Sequence, residues 1–229
     1  MTLEIGLLVF PRVQQLDLTG PYEVFATLPD ARVHLVSKDL APVTSATGLV
    51  LTPTTTFWEC PALDVLCVPG GVGVNALMED EATLDFVRRQ ASGARYLTSV
   101  CTGALVLGAA GLLVGRRATT HWAAHDLLAA FGAVPVEERV VRDGNLVTGG
   151  GVTAGIDFAL TLAAELTDPA TAQAIQLQHE YAPAPPFDAG RPETAGPAIT
   201  AAVRKRLAAS RAEREAIVAR IVSRQVQSD

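Results

Sequence analysis

The sequence is short of cysteine, short of basic charge over most of its length, and without long unbroken apolar runs. Three cysteines, Cys60, Cys67 and Cys101, occur among 229 residues and form no CxxC pair. Their odd number and wide spacing argue against a disulfide framework and suit free thiols in a reducing, cytoplasmic setting. Of the histidines, His34 falls in a strand-like run and His179 in a late helical one, without ligand spacing to each other, so no metal site is expected. The Met-Thr-Leu-Glu start has no basic n-region leading into an apolar h-region. Apolar runs elsewhere are broken by Gly, Pro or charge before the roughly 18 residues a membrane helix needs. Neither export nor membrane spanning is expected. Formal charge is −6; the residues from Ile199 onward carry +4, leaving −10 on residues 1 to 198. Such a body repels nucleic acid.

What is present is a large apolar share, 49% of residues, enough to build one sizeable α/β core. Strand-sized runs rich in Val, Ile, Leu and Thr recur at residues 3 to 11, 32 to 38, 63 to 71, 95 to 100 and 144 to 150. Several are continuously apolar, the mark of parallel strands covered on both faces. Helical patterns lie between them, at residues 20 to 28, 80 to 92, 102 to 113, 121 to 132 and 153 to 166. Alternation of the two predicts one doubly wound, mostly parallel sheet with helices on both faces, over residues 1 to 190.

Residues 181 to 198, "YAPAPPFDAGRPETAGPA", read as an irregular, proline-rich arm. Beyond it Ile199, Val203 and Leu207, then Ile217, Ile221 and Val222, repeat at helical spacing among charges. Residues 191 to 229 are therefore expected to form an arm and an amphipathic helix packed on the domain or on a dimer partner. No internal repeat is visible, and no helix-turn-helix module follows the α/β body.

Three segments carry chemistry. In "YLTSVCTGALVLGAAGLL", Cys101 stands where a strand gives way to a helix. A sharp turn there lifts its side chain above the sheet, and the helix points free N–H groups and its positive dipole end toward the sulfur, which lowers a thiol pKa. The bland alternative is a buried small hydrophobe. "LCVPGGVG" ends a strand in a turn where Gly70 and Gly71 let backbone N–H groups approach a ligand, forming an anion pocket with the N–H of Thr102, or serve only the turn. "QQLDLTGPYEVF" places Asp17 after the first strand, on the same rim as Cys101, as an acid, a loop acceptor or a helix cap, with Pro21 in the first helical turn. Two further groups are weighed. "GNLVTGGGVTAGIDFA" brings Gly150, Gly151 and Val152 either against the site or into close strand–helix packing, and His121 in "RATTHW" opens a helix as a site or packing residue. Phe57, Trp58 and Trp122 are pocket or core aromatics.

Together "QQLDLTGPYEVF", "CVPGGVG", "TSVCTGALVLGAAGLL", "ATTHW" and "VVRDGNLVTGGGVTAGIDFALTLAAEL" resemble the ThiJ/PfpI (class I glutamine amidotransferase-like) superfamily over residues 3 to 190. With "EYAPAPPF", the likeness is strongest to its isocyanide-hydrating members. The resemblance implies a flavodoxin-like fold, a homodimer, no metal or organic cofactor, and an isocyanide as the small-molecule partner, hydrated to an N-substituted formamide. By position it makes Cys101 the nucleophile, Asp17 its acidic partner and Thr102 the hydroxyl residue after the nucleophile. It leaves Glu23 a structural residue of the following helix. It also implies that attack by a Cys101 thiolate, with Asp17 supplying the proton, gives a thioimidate that water resolves. For that role the Asp17 pKa must lie above the usual 3.9 or so, as burial would place it. Peptidases of the superfamily carry histidine directly after the cysteine, where this chain has Thr102. Glyoxalase-like enzymes share the cysteine and carboxylate. Regulators that share "DLTGPYEVF" and "ATTHW" append a helix-turn-helix region.

Overall fold

The computed structural model describes residues 2–228, with side chains of the last helix described through Arg224. Seven strands form one sheet: β1 (Leu3–Leu8), β2 (Ala31–Ser37), β3 (Thr55–Thr56), β4 (Val65–Val68), β5 (Tyr96–Val100), β6 (Val140–Asp143) and β7 (Leu146–Gly149). Their spatial order is β6-β7-β5-β4-β1-β2-β3, parallel throughout except for the β6–β7 hairpin at one edge. Leaving out the two edge additions β3 and β6, the order is that of a flavodoxin-like sheet, whose chain direction reverses between β1 and β4. The crevice beyond the carboxyl ends of those two strands is the place such folds reserve for ligands.

Two apolar layers flank the sheet. On one face α1 (Gln15–Ala26), α4 (Ala154–Leu166) and α5 (Pro169–Gln178) enclose Phe25, Phe158 and Leu162. The other face is covered by α2 (Glu81–Ala91), α3 (Gly103–Ala109), a 3-10 helix (Trp122–Phe131) and the C-terminal α6 (Pro197–Ser228), around Phe86, Leu105 and Leu128. β4 is buried at every residue, as a central parallel strand requires. α6 packs on its own chain: Ile217, Val218 and Ile221 enter this second layer, and Arg211 clamps Asp126 at 2.7 and 2.8 Å.

Three elements differ from the sequence expectation. α1 begins at Gln15 rather than near residue 20, so Pro21 lies inside the helix and not in its first turn. Its missing N–H costs one rung, but the ring is buried against α4, where a Cβ on Gly155 would stand 3.1 Å from Pro21 Cδ. Small residues on both helices permit that approach. The stretch 122–131 winds as a 3-10 helix; its inward residues form the i,i+3 pairs Ala124/Leu127 and Leu128/Phe131, the spacing such winding stacks. α5 is the late helical run expected around His179, but it ends at Gln178 with His179 as its C-cap; it is started by Asp168, whose carboxylate accepts the N–H groups of Ala170 and Thr171 with Pro169 at the first position. The arm is irregular except for one helical turn at Pro192–Ala195 and its last two residues, where α6 has already begun.

Phe158 is fully buried and meets Phe25 edge-to-face at 5.9 Å, joining α4 to α1. Phe158→Ala is expected to lower unfolding free energy by about 3–5 kcal/mol, read from urea denaturation, because the tightly crossed helices cannot collapse into the void.

Candidate active site

Cys101 sits between β5 and α3 with φ +55°, left-handed backbone that a non-glycine residue adopts at a cost of about 1–2 kcal/mol. Three hydrogen bonds hold the bend. The Cys101 N–H is shared between the carbonyls of Gly149 (3.1 Å) and Gly150 (2.8 Å), and the Cys101 carbonyl accepts from the Thr120 hydroxyl at 2.6 Å. Strain maintained in this way at one cysteine is the hallmark of a nucleophile elbow. Cys67 lies fully buried within β4, its thiol pushed up to about 12 by burial, and Cys60 is half-buried far along the chain, pushed up to about 11.

Asp17 is completely buried in the first turn of α1. One carboxylate oxygen, Oδ2, accepts the Gly70 N–H at 3.0 Å; the other, Oδ1, is bonded by no further group, and the Cys101 thiol lies within hydrogen-bonding reach of the carboxyl. The side chain therefore does not cap α1, and it does act as a loop acceptor, holding the turn that follows β4. Thr102 precedes α3 without capping it: its hydroxyl accepts the Gly71 N–H at 3.0 Å and faces the Gly71 carbonyl at 3.3 Å. The turn Gly70–Gly71 is thus pinned from both sides. A Cβ on Gly70 would fall 2.6 Å from the Thr102 nitrogen and 2.8 Å from both Asp17 Oδ2 and Cys101 Cβ. Gly71 has φ +128° and its missing Cβ would strike the Gln14 nitrogen at 2.4 Å. With both glycine N–H groups already used, they anchor Asp17 and Thr102; they do not point freely at a ligand.

Electrostatics at the pair differ from the expectation of a lowered thiol pKa. Burial pushes the Cys101 thiol up, the neighbouring Asp17 charge adds to this, and the Thr102 N–H and hydroxyl at the helix start only partly offset it. Burial also raises Asp17 to about 7, against the lowering effect of its bonds to Cys101 and Gly70. Each group's charge thus disfavours ionisation of the other, in a space where water does not screen them.

Beside Cys101 opens a cavity of about 650 Å³ lined by Thr120, His121, Trp122, Gly150, Gly151 and Val152, and also by Arg191 of the arm and Arg204 of α6. It touches Cys101 through Gly150 and Thr120, and the cysteine itself is 6% exposed. Within it the His121 ring stands 3.1 Å from where a Cβ of Gly151 would be. His121 Nδ1 accepts the Ala123 N–H (3.2 Å), so the proton is on Nε2, and burial keeps the ring neutral. Arg204 stacks on Trp122. Glu23 is exposed on α1. Trp58 is 92% exposed, belonging to neither core nor pocket, while Phe57 stacks on Phe86. Sequence reading passed over Thr120, although "ATTHW" contains it, because only the fold shows its hydroxyl on the cysteine carbonyl. Among the described residues no group of three or more His, Cys, Asp or Glu side chains converges on a metal position, and no helix is long and apolar enough to cross a membrane.

A doubly wound sheet of flavodoxin-like order, with a strained cysteine on a strand-to-helix bend beside a buried carboxyl, defines a class of α/β proteins built around one thiol. Within it, the chain belongs to the DJ-1/PfpI family, whose model matches residues 4–165. It is 71% identical to the isonitrile hydratase of Pseudomonas putida, over 92% of either chain. It is similar to the crystal structure of a ThiJ/PfpI family protein from Pseudomonas syringae, with TM-score 0.93 and 46% identity, over 95% of this chain and 91% of that one. It is also 37% identical to the HTH-type transcriptional regulator GbdR of Pseudomonas aeruginosa, but over only 57% of this chain and 36% of the regulator.

Gly70→Ala is expected to cost about 1–3 kcal/mol in urea denaturation, because backbone and buried carboxylate must give way together. Gly93→Ala, where nothing lies within 4 Å of the added methyl, serves as the control and should be close to neutral.

Proposed function

We propose that this protein hydrates an isocyanide to an N-substituted formamide, as a cytoplasmic homodimer, through a covalent thioimidate on Cys101. The observation that carries this reading is the composition of the buried pair, a thiol beside one carboxyl with no histidine between them, in a chain 71% identical to an isonitrile hydratase. An amide hydrolase needs a base that also protonates an amine leaving group. Hydration of an isocyanide expels no amine, so one carboxyl that passes a proton back and forth is sufficient.

Asp17 takes the proton of Cys101 as the sulfur forms a bond to the terminal carbon of the isocyanide. The carboxylic acid so formed gives the proton to that same carbon, leaving a neutral thioimidate, S–CH=N–R. Water then adds to the carbon with Asp17 taking one of its protons, the nitrogen is protonated, and the C–S bond breaks with the electron pair returning to sulfur. The formamide leaves and the thiol regains its proton. The carbon is neither oxidised nor reduced by an external reagent, and water supplies every added atom. The cavity bounded by Gly150, Val152 and His121 holds the organic group of the isocyanide; its position against the Cys101 backbone supports this reading. Thr102 keeps Gly71, and through it the Asp17 anchor, in register.

Purified protein incubated with para-nitrophenyl isocyanide is expected to form the corresponding formamide, and a quenched reaction to show the adduct mass on Cys101, absent from Cys101→Ala. Turnover of methylglyoxal without any formamide would overturn the assignment.

The active form of the pair holds one proton. Protonating Asp17 as well disables it, so kcat/KM should fall as pH drops through about 7. Asp17→Asn should lose that acid limb and reduce kcat by on the order of 10²–10⁴. An unchanged pH–rate profile in a folded Asp17→Asn would remove Asp17 from the chemistry.

A further inference from the structure

The proline-rich arm leaves the body at Tyr181, whose side chain reaches back to α4. Its hydroxyl donates to Asp157 Oδ1 at 3.0 Å, in the first turn of that helix. The ring is aimed by the backbone: Glu180 turns with φ +48°, and Gln176 near the end of α5 binds both the Tyr181 N–H (3.0 Å) and its carbonyl (3.1 Å). The other Asp157 oxygen, Oδ2, accepts from Arg139 Nε, and Arg139 Nη2 donates to the Thr153 hydroxyl at 3.2 Å. Thr153 stands at the start of α4 without capping it, so its hydroxyl is committed to the arginine. The Arg139 backbone, just before β6, serves the other end of the same segment. Its carbonyl accepts the Gly150 N–H at 2.9 Å, and the Gly150 carbonyl in turn accepts the Cys101 N–H at 2.8 Å. Residues 150–153, the wall of the cavity beside the cysteine, are thus laced to one arginine at both ends.

We propose that Arg139 is the positioning residue of the elbow, fixing through Gly150 and Thr153 where the sulfur stands relative to the cavity, and that Asp157 and Tyr181 make the arm part of this device. As a stabilising ion pair the group is poor, because the Arg139 and Asp157 side chains are 43% and 30% exposed and solvent screens them. What a guanidinium adds is geometry: its planar fork holds Asp157 and Thr153 at a fixed separation, which a flexible ammonium cannot do. The side chain bonds neither Cys101 nor Asp17, so it acts on the place of the sulfur and not on its proton. Place matters at this point, since an error of about 1 Å in the approach of reacting atoms can cost on the order of 10²-fold in rate. Further along the arm Arg191 lines the same cavity, so the segment that Tyr181 anchors is itself a part of the wall.

This inference rests on the hydratase reading for its turnover readout, and a second readout is independent of it. In the full chain with para-nitrophenyl isocyanide, Arg139→Met should lower kcat by about 10- to 100-fold, with the midpoint of the pH–rate profile where it is in the unaltered protein. Tyr181→Phe, which removes one hydroxyl, should lower kcat several-fold. The double variant should be no slower than Arg139→Met alone, because Tyr181 reaches the elbow only through Asp157 and Arg139. A folded Arg139→Met with unaltered kcat, a displaced midpoint, or losses that multiply in the double variant overturns the proposal. If Arg139→Met fails to fold, Tyr181→Phe decides, and an unaltered kcat there overturns the proposal equally. The independent readout is hydrogen exchange of the Cys101 amide by NMR, with the β4 amides as the reference for global opening. Arg139→Met, or Tyr181→Phe in its place, should speed it by about tenfold relative to β4. Unaltered relative exchange overturns the positioning role even if the unaltered protein forms no formamide, a result that would sink the hydratase reading alone.

Discussion

The site depends on the hydrogen bond from the Gly70 amide to the buried Asp17 carboxylate, made across a gap that a single methyl group would fill. This contact ties the end of β4 to the start of α1, at the place where the sheet reverses its direction of growth. Thr102 repeats the device one residue along, holding Gly71 from the start of α3. Three consecutive strand ends are in this way drawn onto one spot, and the cysteine of the third is left with its sulfur facing the carboxyl of the first. Strain at Cys101 is tolerable only because Gly149, Gly150 and Thr120 bind its backbone from the opposite side.

Burial then determines the chemistry available. A helix start by itself favours a thiolate, and an exposed elbow would deliver one. Here the dry surroundings and a second acid push the thiol up, so the pair holds a proton that neither member gives up cheaply. That arrangement suits a reaction in which the attacked carbon must itself be protonated. An ionised, solvated thiolate would be a better nucleophile but would have no acid at hand for the carbon. The raised Asp17 and the raised Cys101 are therefore two aspects of a single proton-transfer device.

Much of this was legible in residue pattern. Continuous apolar runs gave the central parallel strands, and the junction of "YLTSV" with "TGALVL" marked the elbow at Cys101. Asp17, Gly70 and Gly71 were placed on the same rim by their positions after strands. Other features escaped for identifiable reasons. Helix α1 begins before Pro21 because tertiary packing on Gly155 outweighs the lost hydrogen bond, which local preference does not register. The direction of the Cys101 shift was missed because burial is a property of the whole fold, while the helix dipole can be read from a few residues. Thr120 reaches the site from a segment beyond α3, with no spacing that announces it.

The C-terminal helix shows how an element beyond the matched family region is fastened to the shared framework. Its hydrophobic contacts, through Ile217, Val218 and Ile221, are those of any packing helix and would hold equally well with an uncharged residue at position 214. Burying a guanidinium beside them lowers stability relative to an apolar side chain of similar volume. What that cost secures is a polar tie between α6 and the helical turn Val74–Leu77, through the bond from Arg214 Nε to Asn75 Oδ1. Asn75 makes the arrangement workable: as a neutral amide it accepts from Arg214 without neutralising it, and donates to Glu213 at the surface. A carboxylate at that position would accept from Arg214 but could not donate to Glu213.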